Sequence, residues 1–218
     1  GIPEERTVCI SNGVRVPDGL TKKTSQSKKG LDVIFVGAIC HVPKGVLFLS
    51  SIFKIALNKY AQYHLHIVGE GSDLGRLKEM FLSDCPTLCI SYYGSLTNEE
   101  TLKLLEKADI LIMPSLFEGL PLALLEAMSL GVVPVVSRLP GCTDFVVDHG
   151  KNGYLCEIGD EAGFAGALLT LAKDRVILKR LSKSAWETAA QRFSYKITGA
   201  KYLQLAESVR RLREKGLE

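Results

Sequence analysis

The sequence predicts an α/β domain in which a parallel sheet of about six strands carries helices on both faces. Short runs of β-branched and other apolar residues alternate with longer helical segments along most of the chain, and this alternation is typical of parallel sheets. The 218 residues, 46% of them hydrophobic, suffice for one good core. No stretch has the composition of a long flexible linker. We therefore expect a single domain over residues 1–218.

The elements follow one another in a regular order. A strand-like run at Thr7–Ile10 comes first, and a lysine-rich polar segment, Thr21–Gly30, follows it. A solvated loop is favoured for this segment, with a basic membrane-surface patch as the alternative. The strands of the sheet are expected at Asp32–Val36, His64–Val68, Leu88–Tyr92, Ile110–Met113, Val132–Val136 and Tyr154–Glu157. Helices are expected near Lys44–Tyr60, Ser72–Ser83, Asn98–Lys107, Pro121–Leu130 and Glu161–Lys173, with a helical tail from Asp174.

Composition argues against several functional classes. A net charge of +3 is too small to predict binding to nucleic acid. No apolar run reaches membrane-spanning length, and no signal peptide is recognisable, so a cytoplasmic protein is expected. The six cysteines form no C-x-x-C pair and are expected to be reduced thiols. Because the chain begins at Gly1 rather than Met, it is expected to be one half of a longer protein.

Two glutamates, Glu118 and Glu126, are the most informative residues. Glu126 is the only charge in an otherwise apolar helical segment, where a buried carboxylate needs a partner. Pro121 suits the first helical position, so Glu118 should lie just before the helix. If the whole span were helical, the two carboxylates would stand about 12 Å apart along the axis. That distance exceeds the roughly 5–9.5 Å of hydrolytic carboxylate pairs.

The spacing instead suits an elongated ligand that is held at two hydroxyl-bearing ends. A helix N-terminus lies between the two glutamates, and its free N–H groups favour an anion. Lys44 supports the same interpretation, because a cation at a helix N-terminus is unfavourable unless an anionic ligand is present. Hydroxyls at both ends and phosphate in the middle describe a sugar nucleotide. A solvent-exposed Lys44 before Gly45 is the structural alternative.

Ordered motifs along nearly the whole chain resemble the donor-binding half of GT-B glycosyltransferases of retaining family 4. The signature of that family is two glutamates separated by seven residues, as in Glu118 and Glu126. The other matching segments are Ile10-Ser11-Asn12-Gly13-Val14, Phe35-Val36-Gly37 with Lys44-Gly45, Ile67-Val68-Gly69-Glu70-Gly71, Tyr93-Gly94-Ser95-Leu96, Ala108-Asp109 with Met113-Pro114-Ser115, residues 131–136, and Gly150-Lys151-Asn152-Gly153. The resemblance implies a Rossmann-like fold that forms one half of a GT-B enzyme.

The resemblance also implies roles for individual residues. Catalysis is assigned to Glu118 and Lys44, with Glu118 on the donor sugar and Lys44 on the diphosphate, while Glu126 takes the ribose. The remaining donor-binding positions are Gly37, Ala38, Gly69, Gly71, Ser95, Leu96, Gly119, Leu120 and Leu122. Because Lys44 and backbone N–H groups supply positive field, neither a metal nor a cofactor is expected beyond the donor itself, a UDP-sugar.

One residue departs from the family pattern. Ala38 stands where the family usually has arginine, so one of two expected cations for the diphosphate is lacking. His41 is a candidate substitute. A non-catalytic sugar-nucleotide binding module is therefore one rival hypothesis, and a GT-B-fold epimerase that acts on UDP-N-acetylglucosamine is another, although the epimerase lacks the paired glutamates.

Two further motifs give weaker hypotheses. The glycines of Gly69–Gly75 follow a strand, but their spacing is one residue off the dinucleotide fingerprint and the expected acidic residue is absent, which disfavours NAD. His64 and His66 share a strand face without an evident carboxylate or thiol, so surface residues are favoured over a metal site.

The resemblance finally implies partners outside the chain. An N-terminal domain would supply the acceptor site, for a sugar or lipid-linked acceptor of polysaccharide, lipopolysaccharide or glycolipid synthesis. The helices after about residue 174 would pack on that domain, so Tyr195, Tyr202, Leu205 and Leu212 are expected to be exposed or to pack against a second copy of the chain. Without it the chain is expected to be inactive, and peripheral contact with the inner face of the cytoplasmic membrane is expected only for the longer protein.

Overall fold

The computed structural model describes residues 7–20, 30–60 and 62–214. The strands are β1 (Leu31–Val36), β2 (Tyr63–Val68), β3 (Cys89–Tyr92), β4 (Ile110–Met113), β5 (Val133–Ser137) and β6 (Tyr154–Cys156). The helices are α1 (His41–Lys44), α2 (Phe48–Leu57), α3 (Leu74–Asp84), α4 (Asn98–Leu105), α5 (Leu122–Ser129), α6 (Thr143–Val146), α7 (Glu161–Lys173), α8 (Arg175–Arg192) and α9 (Tyr195–Glu214).

All six strands form one parallel sheet in the order β3-β2-β1-β4-β5-β6. Alternate residues of each strand face opposite sides, and each side has its own hydrophobic core. On one face, strand residues such as Val33 and Phe35 pack with α2, α3 and α7. On the other, residues such as Ile34 and Leu111 pack with α4, α5 and much of α8. The predicted α/β fold with helices on both faces is confirmed.

The predicted strand at Thr7–Ile10 is wrong. The residues from Thr7 to Gly13 are irregular, and only Val14 forms an isolated bridge, with Ser194. The N–H of Val14 donates to the carbonyl of Phe193 at 2.8 Å. This segment therefore pairs with the junction between α8 and α9, and not with the sheet.

The predicted helix at Lys44–Tyr60 begins too early. Lys44 ends the short helix α1, and Gly45 follows in the left-handed conformation with φ of 64°. Only glycine adopts that conformation without strain, and a Cβ there would also overlap the carbonyl oxygen of Pro114. The chain therefore breaks at Gly45, and α2 starts at Phe48.

Pro121 was also misplaced by one position. It caps α5 in an extended conformation, with ψ of 120°, so the first helical residue is Leu122. The other predicted boundaries differ by up to three residues, and α6 was not predicted. The segment Thr21–Gly30 lies outside the described residues except for Gly30.

The helical tail from Asp174 is confirmed. The Asp174 carboxylate caps α8 by accepting hydrogen bonds from the N–H groups of Val176 and Ile177. In α9, Tyr195 and Tyr202 are exposed, as expected, whereas Leu205 is only partly exposed. The side chain of Leu212 lies outside those that the structure describes. Within the described part of the chain, no helix combines the length and the apolar character that crossing a membrane requires.

Candidate functional site

The sheet order creates a switch point between β1 and β4. The chain leaves β1 toward α2 on one face and leaves β4 toward α5 on the other. Such a divergence opens a crevice at the carboxyl ends of the strands, which is the usual ligand site of open α/β sheets. Lys44 lies in the connection after β1, and Glu118 lies in the connection after β4. The two residues assigned to catalysis therefore meet at this crevice.

Lys44 and Glu118 form an ion pair with two hydrogen bonds. The Lys44 Nζ lies 2.8 Å from Oε1 and 2.9 Å from Oε2 of Glu118. The Ser115 hydroxyl also donates to Oε1, at 2.8 Å. The Glu118 side chain is only 7% exposed, whereas that of Lys44 is 24% exposed. The carboxylate is thus fixed by three donated bonds, while the ammonium group keeps access to solvent.

The backbone holds the Glu118 loop against α1. The N–H groups of Leu116 and Phe117 both donate to the carbonyl of Pro43, at 2.8 and 3.3 Å. These bonds join the connections after β4 and β1 next to the ion pair. The position of Glu118 relative to Lys44 is therefore set by backbone contacts as well as by charge.

The N-terminus of α5 lies directly after Glu118. No side chain caps this helix, and its first turn contains no acidic residue. Gly119 and Leu122 are exposed, and Leu120 is partly exposed. An uncapped first turn presents N–H groups and the positive end of the helix dipole. This end of α5 is suited to an anion, as the sequence predicts.

Glu126 has a partner, but the partner is neutral. Its Oε1 accepts a hydrogen bond of 2.8 Å from Nδ2 of Asn98, at the start of α4. Glu126 is half-buried, so it is less enclosed than the apolar helix suggested. Asn98 was not identified from the sequence, because its contact with Glu126 spans 28 positions. The carboxylate is therefore held on the α4 side of α5.

The glycine loops after the first three strands are joined through their backbones. The N–H of Gly37 donates to the carbonyl of Val68 at 3.0 Å, and the N–H of Gly69 donates to the carbonyl of Gly94 at 2.8 Å. A Cβ on Gly69 would overlap the carbonyl oxygen of Gly37, and a Cβ on Gly71 would overlap that of Ile39. These glycines let neighbouring loops approach closely.

The three other predicted positions lie on the same loops. Ala38 and Ser95 are exposed, and Leu96 is partly buried against the core on the α5 side. Lys44 extends over the first loop, since a Cβ on Gly37 would lie 3.7 Å from its Cε. Gly37 of the first loop thus lies beneath the Lys44 side chain, and Ala38 follows it with an exposed methyl group.

His41 lies at the start of α1 and is anchored by its backbone. Its N–H donates to Oδ2 of Asp73 at 2.7 Å, and its ring packs edge-on against Phe48 with centroids 4.8 Å apart. The ring Nδ1 is buried without a hydrogen-bond partner among the described residues. The role of His41 as a substitute for the family arginine stays a prediction.

Cys142 is a residue of the crevice that the sequence did not reveal. It is buried, and its thiol donates a hydrogen bond to the carbonyl of Gly119. Burial and, next to it, the negative charge of Glu118 raise the pKa of this thiol to about 11. No spacing rule connects Cys142 with Gly119, which lies 23 positions earlier. The neutral thiol thus helps to fix the loop before α5.

Asn12 is a second contact that only the fold reveals. Its Nδ2 donates to the carbonyl of Leu120 at 3.4 Å. The N-terminal motif therefore reaches the loop before α5, although it lies more than 100 positions away in the sequence.

The prediction that no carboxylate accompanies His64 and His66 is wrong. His64 and His66 are accompanied by a carboxylate, because Asp32 on β1 lies beside both imidazoles. The pairing register of β1 and β2 places Asp32 opposite His64. Asp32 and His64 lie near the amino ends of β1 and β2, and His66 lies in the middle of β2.

Residues 30–174 match the family model described as glycosyl transferases group 1. The chain belongs to this family. It is 32% identical, over 97% of its length, to the amylovoran biosynthesis glycosyltransferase AmsK of Erwinia amylovora. It covers 52% of that relative, so the chain spans about half the length of the protein that it matches. Membership of this family disfavours the epimerase hypothesis.

Solved structures share the fold of this group 1 glycosyltransferase chain. A TarM variant of Staphylococcus aureus, in complex with Fondaparinux, alpha-GlcNAc-glycerol and UDP, superposes with a TM-score of 0.80 at 22% identity. The match covers 91% of this chain and 39% of TarM. Anabaena HepE in complex with UDP-glucose gives a TM-score of 0.73 at 19% identity, over 82% of this chain and 49% of HepE.

Proposed function

We propose that this chain binds a nucleoside diphosphate sugar, with UDP as the nucleotide, and contributes the donor site of a retaining glycosyltransferase. The observation that carries the proposal is the Lys44–Glu118 pair at the switch point, directly before the uncapped N-terminus of α5. A cation, a fixed carboxylate and a helix N-terminus in one crevice match a ligand with both phosphate and hydroxyl groups. The UDP and UDP-glucose complexes of TarM and HepE support the choice of nucleotide.

In this proposal Lys44 and the start of α5 hold the diphosphate. The ammonium group has three donors, so Lys44 can retain Glu118 and still donate to a phosphate oxygen. The N–H groups of Gly119, Leu120 and Leu122 add a preorganised positive field. When the bond from the anomeric carbon breaks, its electron pair remains on the diphosphate, and this field stabilises the charge. Transfer proceeds without a metal in this scheme.

The two glutamates bind the ends of the donor. Glu118 accepts hydrogen bonds from the sugar hydroxyls, and its charge favours the positive character that develops on the ring. Glu126 accepts hydrogen bonds from the ribose hydroxyls, with Asn98 fixing its orientation. The loops at Gly37, Ala38, Gly69, Gly71, Ser95 and Leu96 line the nucleotide. Ser95 and Leu96 contact the base.

The acceptor belongs to a part of the protein outside this chain. This step of the proposal is supported by coverage, since the chain spans 52% of the amylovoran glycosyltransferase. The acceptor is a growing saccharide or lipid-linked saccharide, and membrane contact and a cytoplasmic site of reaction belong to the same proposal. This chain alone is then expected to bind donor and to transfer nothing.

Ala38 supports a second candidate function, a sugar-nucleotide binding module without catalysis. The position is exposed and carries no cation, so the diphosphate receives less positive charge than the family pattern supplies. Donor binding is common to both candidates. They differ in whether the full-length protein releases UDP from its donor when an acceptor is present.

Thermal unfolding in the presence of UDP, GDP, ADP and NAD tests donor binding. A ligand at 100 times its dissociation constant should stabilise the chain by about 2.7 kcal/mol. Stabilisation by one nucleoside diphosphate that Lys44→Ala and Glu126→Ala abolish would support the proposal. Glu99→Gln, at an exposed position outside the crevice, is the matched control and should respond as the unmodified chain does. No shift with any diphosphate would contradict the proposed site.

A further inference from the structure

A cluster of potential metal ligands lies on β1 and β2. In the register of the sheet, Asp32 is opposite His64 and Ile34 is opposite His66. Residues two apart on a strand face the same side, so Asp32, His64 and His66 share one face. His66 Nε2 lies 2.9 Å from Oδ1 of Asp32, and His64 Nδ1 lies 3.5 Å from the same oxygen.

The spacing of these atoms fits the coordination shell of a small divalent ion. One ligand atom from each of the three residues lies within 4.8 Å of the others. In a tetrahedral zinc site, metal–ligand distances near 2.0–2.1 Å place neighbouring ligand atoms about 3.4 Å apart. The separations of 2.9 and 3.5 Å lie close to that value. Small rotations of the side chains would therefore accommodate an ion.

Hydroxyl groups hold the far side of each imidazole. His66 Nδ1 lies 2.9 Å from the Tyr93 hydroxyl, and His64 Nε2 lies 2.9 Å from the Ser91 hydroxyl. In metal sites the second ring nitrogen of a ligating histidine is usually hydrogen-bonded, which fixes its tautomer and orientation. Both rings are therefore oriented with one nitrogen toward Asp32 and the other toward a hydroxyl group.

The backbone also positions the carboxylate. Asp32 donates its N–H to Oδ2 of Asp109 at 3.0 Å, which joins β1 to the start of β4. The Asp32 side chain is 11% exposed and the His66 side chain 15%, whereas His64 is 35% exposed. Of the three side chains, His64 is thus the most accessible to solvent, which gives an ion and a water ligand a route to the cluster.

We propose that Asp32, His64 and His66 bind a divalent transition-metal ion, with zinc as the preferred ion. Two imidazoles and one carboxylate are a ligand set that suits zinc, and a water molecule completes the tetrahedron. The ion links β1 to β2 and, through the Tyr93 hydroxyl, reaches the turn after β3. Because none of the three ligands belongs to the proposed donor site, this metal site does not depend on the proposed donor binding.

Zinc titration with a competing chromophoric chelator tests the site. We expect one zinc ion per chain and a loss of affinity of at least tenfold in both His64→Ala and Asp32→Asn. Asp32→Asn preserves the shape of the side chain, so it gives a result even if His64→Ala does not fold. Cys9→Ser and Cys89→Ser remove exposed thiols and are the controls. They should bind zinc as the unmodified chain does.

Cobalt in place of zinc identifies the ligands by their absorption. Bands of tetrahedral cobalt without a thiolate charge-transfer band would support coordination by imidazole and carboxylate. A thiolate band, or loss of zinc in Cys89→Ser, would overturn the proposal. Unchanged affinity in His64→Ala and Asp32→Asn would overturn it too, and would show that hydrogen bonding alone accounts for the cluster.

Discussion

Removing the charge of either Lys44 or Glu118 should destabilise the fold even when no ligand is present. Lys44→Met removes the ammonium group and keeps most of the side-chain volume. Glu118 is then left 7% exposed with Ser115 as its remaining side-chain partner among those described above. Glu118→Gln removes the negative charge of the pair and leaves Lys44 without its carboxylate partner. We expect each single substitution to lower the free energy of unfolding, and the double substitution to lower it by less than the sum.

The size of the coupling follows from geometry and burial. The ammonium group makes two short bonds, of 2.8 and 2.9 Å, to a carboxylate that is largely shielded from water. A hydrogen bond to a charged group contributes about 1.5–3 kcal/mol. The 24% exposure of Lys44 reduces the effect through solvent screening. We therefore expect a coupling energy of about 2 kcal/mol, which is within the range for one such bond and below the sum for two.

Urea unfolding, followed by circular dichroism and by the fluorescence of the single tryptophan, Trp186, measures this coupling in a double-mutant cycle. Glu99 and Lys103 provide a matched surface pair, with side chains 79% and 65% exposed. Their coupling should be about 0.3–0.5 kcal/mol. If the Lys44–Glu118 coupling were no larger than that of the surface pair, the argument from burial would be refuted.

Four further predictions concern the glycine loops, the Cys142 thiol and the N-terminal cap of α8. Gly71→Ala should destabilise the chain by about 1–3 kcal/mol, because the new Cβ would overlap the backbone of Ile39. Gly75→Ala, in α3 with open space around it, should stabilise the chain by about 0.5–1 kcal/mol. Urea unfolding measures both variants, and equal effects would contradict the steric argument. The Cys142 thiol should react with a disulfide reagent far more slowly at pH 8 than an exposed thiol, because it is buried and its pKa is raised to about 11; fast reaction of all thiols would argue against this burial. Since that pKa is higher in the folded chain than the ordinary 9.0, Cys142 should lower stability as the pH rises from 9 toward 11 and have little effect below 9, and a Cys142→Ser variant should show a weaker decline. Asp174→Ala should cost about 1 kcal/mol through loss of the α8 cap, and an unchanged urea midpoint would contradict that role.

The sheet was predictable because its signal is local. Each central strand is a short apolar run bounded by polar or glycine residues, and buried parallel strands have this pattern whatever their neighbours are. The start of α2 was predicted too early because the apolar run that marks the helix begins directly after Gly45, at Val46, whereas the first helical residue is Phe48. The irregular structure at Thr7–Ile10 likewise could not be predicted locally. It depends on pairing of the following residues with the end of α8, which is distant in the sequence.

The residues of the crevice were predictable only where the order of strands along the chain determines their position. Lys44 and Glu118 follow β1 and β4, so parallel topology brings them to one edge. Contacts that depend on register or on side-chain packing were missed. Asn98 meets Glu126 across 28 positions, and Cys142 meets Gly119 across 23. Asp32 adjoins His64 only because of the β1–β2 register, which the spacing of the histidines does not reveal.

Backbone hydrogen bonds between the glycine loops determine the shape of the crevice, whereas exposed side chains determine its chemistry. Gly37 is bonded to Val68 and Gly69 to Gly94 through backbone N–H and carbonyl groups. Gly69 itself has no room for a side chain, because a Cβ there would overlap the carbonyl oxygen of Gly37. The exposed side chain at position 38 takes no part in those bonds. Substitution at position 38 should therefore leave the backbone frame of the crevice intact. Under the proposed function, the preferred ligand can then change through single surface substitutions that do not first destabilise the fold.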